Sequence, residues 1–207
     1  MIQICTDFDG TITTRDTIVF VTEQFGAGED YRARIVNDIK SGRISVFQGI
    51  RLELETVKVD WETAVKTLRE NVFLEQGFED FVEWSKGNSY PMTILSSGMT
   101  PVVELYTVHL GIPVFAHQLE VSPEGWKFEV IEENRKEIVL ESKRRKGPIV
   151  YIGDGTSDLA AIPFAELLFA RRGRYLEDYC RKNNIPFIPY SDFYEVKTKL
   201  AEWINGR

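Results

Sequence analysis

The sequence predicts an α/β fold in which a parallel sheet carries a helical segment inserted after its first strand. Three observations support this. Short apolar runs at Ile2, Ile4 and Cys5, at 92–95 and at 149–152 have strand length and alternate with helix-period patterns, as in parallel sheets. The first and last of these runs lead into Asp-Gly steps, Asp9-Gly10 and Asp154-Gly155, and open α/β sheets place ligands at the carboxyl ends of their strands. The stretch 16–71 holds few strand signals and much helical periodicity.

In chain order, Asp7 and Asp9 stand two residues apart at the end of the first strand and so point to one side, and Gly10 lets the chain turn away so that both open into a common cleft. The insert reads as helices over 16–26, 30–42, 45–57 and 60–71, with caps at Asp16, Asp30, Ser45 and Asp60. The strand 92–95 stops at Ser96-Ser97-Gly98-Met99-Thr100-Pro101, where a hydroxyl and exposed amides at a strand-to-helix turn would cradle a phosphate. A helix over 102–110, a short strand over 113–116 and a hairpin with arms 117–122 and 126–131 about Pro123-Glu124-Gly125 follow. The helix 136–146 opens with Lys136 near the sheet's carboxyl edge. Lys143, Arg144, Arg145 and Lys146 lie at its other end, where cations answer the helix dipole. The strand 149–152 runs into Asp154-Gly155-Thr156-Ser157-Asp158. A helix over 157–164, a strand over 167–170, a helix over 175–183, an edge strand over 185–188 and a helix from the Asp192 cap to 204 complete the chain.

At 207 residues and 43% hydrophobic content the chain can form one domain with an inserted subdomain around a sizeable core. A net charge of −7 and a pI near 5.1 argue against a general nucleic-acid surface. No apolar run approaches the roughly 20 residues that span a bilayer, and no signal peptide precedes the first strand, so the expected location is cytoplasmic, with no membrane partner. Cys5 and Cys180 lack metal-site spacing and are expected to be reduced. His109 and His117 are isolated and expected to be structural or surface residues. Trp61, Trp84, Phe193 and Trp203 read as packing residues. Asp7, Asp9, Asp154 and Asp158 converging at one sheet edge would repel by roughly 4 kcal/mol per pair at about 4 Å and an effective dielectric near 20, so a cation must sit among them. Hard oxygen ligands beside a phosphate substrate imply magnesium.

These motifs resemble those of the haloacid dehalogenase superfamily of phosphatases. Asp7-Phe8-Asp9-Gly10-Thr11 matches the first motif, Asp-x-Asp-x-Thr; Ser96 matches the serine of the second; and Gly153-Asp154-Gly155-Thr156-Ser157-Asp158 matches the fourth, Gly-Asp-Gly-x-x-Asp. The resemblance implies a Rossmann-like parallel sheet core, 1–15 and 77–207, with a small helical cap, 16–76, that closes over the cleft and excludes water. It implies that Asp7 is the nucleophile, Asp9 the acid/base and Lys136 the motif lysine, and that Ser96 with the amides of Ser97 and Gly98 positions the phosphate. Ser97 stands where close relatives usually have glycine. Magnesium would be held by Asp7, the backbone carbonyl of Asp9 and Asp154, while Asp158 orients a metal-bound water or Lys136.

Two groups within the superfamily are similar to this chain. Phosphoserine phosphatases share the motif order, the cap and the hairpin before the motif lysine. Relative to them Asp16 takes the place of an acidic residue at the cap hinge, Arg51 matches the arginine that holds the substrate carboxylate, and Ser157 replaces the usual asparagine. Methionine-salvage phosphatases acting on a methylthio-hydroxyketopentenyl phosphate match the tail better, through Phe169-Ala170-Arg171, Tyr175-Leu176 and Asp192-Phe193-Tyr194-Glu195, but their cysteine-rich insert is missing. The expected function is magnesium-dependent hydrolysis of a small phosphate ester through an aspartyl phosphate. Phosphoserine is favoured on the strength of Arg51. The salvage ester, or a phosphotransferase or mutase using the same intermediate, is the alternative.

Overall fold

Burial on both faces explains why the central strands are nearly continuous apolar runs. The computed structural model describes residues 1–206, so the last position of the expected core lies outside the described residues. Seven strands form one sheet: β1 Gln3–Thr6, β2 Met92–Met99, β3 Val114–Ser122, β4 Gly125–Glu129, β5 Ile149–Gly153, β6 Ala165–Arg171 and β7 Ile188–Tyr190, in the order β4-β3-β2-β1-β5-β6-β7. All neighbours are parallel except β3 and β4. Strand β1 is central, with Cys5 opposite Thr93 of β2 and Tyr151 of β5. The strands β2 to β4 build outward on one side of β1 and β5 to β7 on the other, and the crevice at such a switch point is where open α/β sheets bind ligands.

Side chains alternate strictly between two cores, as a pleated strand requires. Ile4, Ile94, Val150, Ile152 and Phe169 face one side, and Cys5, Leu95, Tyr151, Leu168 and Ala170 the other. The second side is covered by α7 Lys136–Arg144 and α8 Tyr175–Lys182 through Val139, Leu140, Leu176 and Cys180. Both cysteines are free and buried there, and burial pushes the Cys5 thiol up to about 12. On the first side lie α5 Phe78–Gly87, α6 Thr100–Thr107 and α9 Phe193–Asn205. Phe193 packs edge-on to Phe78, and Trp84 stacks on Phe81, so these aromatics are packing residues.

Between β1 and α5 the chain forms α1 Thr17–Phe25, α2 Gly28–Lys40, α3 Val46–Leu54 and α4 Trp61–Asn71. Asp16 caps α1 through Val19 N, Ser45 forms a reciprocal capping box with Gln48, and Asp60 caps α4 through Thr63 N. Asp30 does not cap α2. That helix starts two residues earlier, which places Glu29 and Asp30 in its first turn, where acidic side chains favour the helix dipole. The insert is not a separate hydrophobic unit, because Ile50, Leu54, Leu68 and Trp126 belong to the same buried cluster as the sheet face. The β3–β4 hairpin supplies the junction. Trp126 Nε1 donates to Val59 O at 2.9 Å, and Trp61 packs on Trp126. Phe47 lies edge-on to His117, 4.9 Å between centroids.

Further differences from expectation follow from tertiary partners. The strand 113–116 and the first hairpin arm are one strand, β3, parallel to β2 at its start and antiparallel to β4 at its end. The helix α5, over a stretch with no expected element, buries Phe78, Phe81, Val82 and Ser85 at helical spacing. The stretch after Asp154 is a short 3₁₀ segment, Thr156–Ala161, because Asp158 bonds back to the amides of Asp154 and Gly155. The edge strand is shifted to β7, since Ile185 N still bonds Cys180 O at the end of α8. Pro189 is tolerated because the strand is at the edge.

Candidate active site

The carboxyl ends of β1, β2 and β5 meet beneath the insert around a cavity of about 430 Å³. Its floor carries Asp7, Asp9, Ser97, Gly98, Asp154 and Ser157, and its roof carries Val36, Ile39, Val46 and Ile50 from α2 and α3. The turn after β1 is dictated by sterics. Gly10 has φ +73°, and a Cβ there would stand 2.6 Å from Asp154 Oδ2, so only glycine lets the two acidic loops approach this closely. Thr13 Oγ1 and Arg171 Nη1 hold this turn, the first accepting from Gly10 N at 3.2 Å and the second donating to Gly10 O at 2.8 Å. Arg171 is itself fixed by an ion pair with Glu75.

Lys136 opens α7 and is buried with its ammonium between two carboxylates, 2.7 Å from Asp7 Oδ1 and 2.6 Å from Asp158 Oδ1, and it donates to Ser157 Oγ at 3.0 Å. Burial opposes its charge, but Asp158 and Asp7 outweigh it and hold the ammonium above its ordinary value. Asp158 is fully engaged. Oδ1 also accepts from Tyr151 OH at 2.6 Å, and Oδ2 accepts from the amides of Asp154 at 2.9 Å and Gly155 at 2.8 Å. It therefore aims Lys136 and shapes the Asp154 loop.

Asp9 Oδ1 accepts from Thr17 N at 2.8 Å and Thr17 Oγ1 at 2.5 Å, and Oδ2 lies 3.5 Å from Ser96 Oγ. Burial, then the Asp16 carboxylate, push its carboxyl up to about 7 against these bonds. Asp154 is likewise pushed up to about 7, by burial and then Asp158. Asp7 is held well above the ordinary range, by burial and then Asp158, with Lys136 opposing. Burial raises each of these carboxyls first and a neighbouring carboxylate second, so a cation among them would favour their charged forms. Carboxylate oxygens of Asp7, Asp154 and Asp158 lie within 4.8 Å of one another, and the hydrogen bond given to the Asp154 carboxylate comes from Thr11 Oγ1 at 3.3 Å. With Asp158 satisfied, Asp7 and Asp154 are the carboxylates left open to a hard divalent cation, and that donor set fits magnesium.

The second motif is arranged differently from a loop cradle. Strand β2 continues through Met99, and Gly98 N donates to Ser96 Oγ at 2.9 Å, so that amide is engaged by the buried serine. A Cβ on Gly98 would meet Asp9 Oδ2 at 2.7 Å, so glycine lets β2 pass this close to the acid. Arg51 is displaced from its expected role. It lies on the exposed side of α3 and does not line the cavity, because helical spacing turns Val46, Ile50 and Glu53 inward and position 51 about 100° away from 50. Asp16 does line it, with Oδ1 accepting from Val19 N at 2.9 Å. Arg32, Lys40, Glu53 and Tyr175 line it as well, and none of these was expected. For Glu53 the signal was available, since an acidic residue stands where the stripe begun by Val46 and Ile50 calls for an apolar one.

His117 is buried, accepts from Ile131 N through Nδ1 at 3.1 Å and is pushed down to about 4 by burial, so it is a neutral packing residue outside the cavity. His109 is a surface residue 2.9 Å from Glu79. No helix of the described residues is long and apolar enough to cross a membrane.

A family model of haloacid dehalogenase-like hydrolases matches residues 4–163. The chain is 28% identical to a polyol phosphate phosphatase of Saccharomyces cerevisiae, over 98% of this chain and 94% of that protein. It is 27% identical to a 2-hydroxy-3-keto-5-methylthiopentenyl-1-phosphate phosphatase of Microcystis aeruginosa, over 94% of this chain and 95% of that one. A solved substrate-bound phosphoserine phosphatase complex shares the fold, with a TM-score of 0.76 at 22% identity over 95% of this chain and 97% of that one. Because the match runs from the first strand through the loop that carries Asp154 and Asp158, the chain belongs to the haloacid dehalogenase-like hydrolase family and is a phosphatase acting on phosphate esters.

Proposed function

We propose that the protein is a magnesium-dependent phosphomonoesterase that hydrolyses a small phosphorylated metabolite in two steps through a phosphoaspartate on Asp7. The observation that carries this reading is the pairing of Asp7, fixed at 2.7 Å from Lys136, with Asp9, whose carboxyl is pushed up to about 7 beside it in the same cavity. Asp7 attacks phosphorus and the ester oxygen leaves; Asp9, protonated, gives that oxygen its proton. The resulting carboxylate of Asp9 then takes a proton from water, whose oxygen attacks the phosphoaspartate and releases phosphate, restoring Asp7. A pKa near neutrality suits one group to both roles. Thr17 fixes the orientation of Asp9, and Lys136 supplies positive charge to the phosphoryl oxygens. Asp7, Asp154 and the carbonyl of Asp9 would hold magnesium, which when bound offsets charge on the same oxygens.

The cavity volume and its apolar roof suit a small ester. The sequence argument for phosphoserine rests on Arg51, and the exposed position of Arg51 on α3 removes it. The test is release of free phosphate from p-nitrophenyl phosphate with magnesium. Wild type should turn over, and Asp7→Asn, nearly isosteric but unable to form the acyl phosphate, should not. Substantial turnover by the variant refutes the nucleophile, and appearance of a phosphorylated acceptor instead of free phosphate favours a transferase.

A further inference from the structure

Glu53 is an acidic residue on the inward stripe of α3. It lies on α3 in line with Val46 and Ile50, is 7% exposed, faces the cavity, and has no hydrogen-bond or ion-pair partner among the described residues. Its oxygens open into the cavity, where a ligand can reach them, and partial desolvation of the carboxylate makes an apolar residue the more stable choice for this helix face. Asp16 and Arg32 of α2 line the same cavity, the Arg32 guanidinium 4.0 Å from Glu23. Burial pushes the Glu53 carboxyl up to about 7; Arg32 draws it down, and Asp16 and Glu23 push it up.

These groups discriminate between ligand chemistries. Arg32 pairs with Glu23 and also draws on Glu53 and Asp16, so a carboxylate on the substrate would compete with three carboxylates for one guanidinium. An ammonium would face Arg32 and Lys40 in the same cavity. A hydroxyl both donates and accepts and is served by acids and cations alike. The remaining wall, Ile18, Val36 and Ile50, is apolar and fits the C–H edge of a carbon chain.

We infer that Glu53 is a specificity-determining residue that hydrogen-bonds hydroxyl groups on the leaving-group side of the phosphate, so that the substrate is the phosphate ester of a small polyhydroxylated alcohol. The inference rests on the phosphatase reading of this cavity. The test measures kcat/KM with magnesium on glycerol phosphate, erythritol phosphate, phosphoserine, phosphoethanolamine and p-nitrophenyl phosphate, for wild type, Glu53→Gln and Glu53→Leu. Wild type should prefer the polyol esters. The ratio of polyol ester to p-nitrophenyl phosphate should fall roughly 10- to 100-fold in Glu53→Leu and less in Glu53→Gln, which keeps a donor and an acceptor. Glu53→Leu should melt above wild type, having lost a carboxyl whose charged form burial disfavours. An unchanged ratio, a wild-type preference for phosphoserine or phosphoethanolamine, or a lowered Tm in Glu53→Leu overturns the inference while leaving the phosphatase reading intact. Absence of wild-type turnover on every ester overturns both.

Discussion

Acid should loosen the junction between the insert and the core through His117. This imidazole is 1% exposed, lies edge-on to both Phe47 of α3 and Phe128 of β4, and accepts from Ile131 N. Burial lowers its pKa from 6.5 to about 4; Lys136 and Arg135 act in the same direction and Glu132 opposes them. Above pH 6.5 the ring is neutral in both the folded and unfolded chains, and its contribution to stability is complete. As pH falls below 6.5 the unfolded chain binds a proton that the folded one refuses, and stability drops until the folded ring also protonates near 4. At about 1.4 kcal/mol per pH unit that separation amounts to roughly 3 kcal/mol. The assay is urea unfolding followed by tryptophan fluorescence at about pH 7.5 and about pH 4.5, on wild type and on His117→Gln, which keeps an acceptor for Ile131 N. Other groups titrate in both proteins, so the informative quantity is the difference between them. The wild-type advantage at neutral pH should shrink by most of roughly 3 kcal/mol at the lower pH. Parallel loss in the two proteins refutes a buried neutral His117 as the acid-sensitive element.

Asp9→Asn should retain the fold, since an amide oxygen can still accept from Thr17 N and Oγ1, and should lose on the order of 10² to 10⁴ in turnover, the scale of acid–base catalysis. Near-wild-type hydrolysis of an ester with a poor leaving group would remove Asp9 from that role. Chelation should abolish turnover and added magnesium restore it, and Asp154→Ala should raise the magnesium concentration needed for half-maximal rate. Full activity in excess chelator, with metal content of the protein checked, contradicts a divalent cation at Asp7 and Asp154.

What the sequence determines by itself is chemistry bound to local backbone geometry. Asp7 and Asp9 are legible because two residues on a strand share a side and because Gly10 must follow them. Asp154 and Asp158 are legible because a Gly-Asp-Gly turn after a buried strand leaves few other conformations. The caps at Asp16, Ser45, Asp60 and Asp192 are equally local, and all four form. Lys136 belongs here as well, since the first residue of a helix that runs back along the sheet starts at the site. The tertiary structure decides what distance in the chain hides. Whether β3 ends at Ala116 or continues to Ser122 depends on its two different partners, β2 and β4. The edge strand waits until Ile188 because the end of α8 still holds Ile185. Above all, the rotation of α3 against the core turns Glu53 into the cavity and Arg51 to solvent, two residues apart on one helix. Spacing puts Glu53 on the stripe of Val46 and Ile50 and Arg51 about 100° from Ile50, but which stripe faces the site is decided where Phe47, His117 and Trp126 lock the insert onto the hairpin.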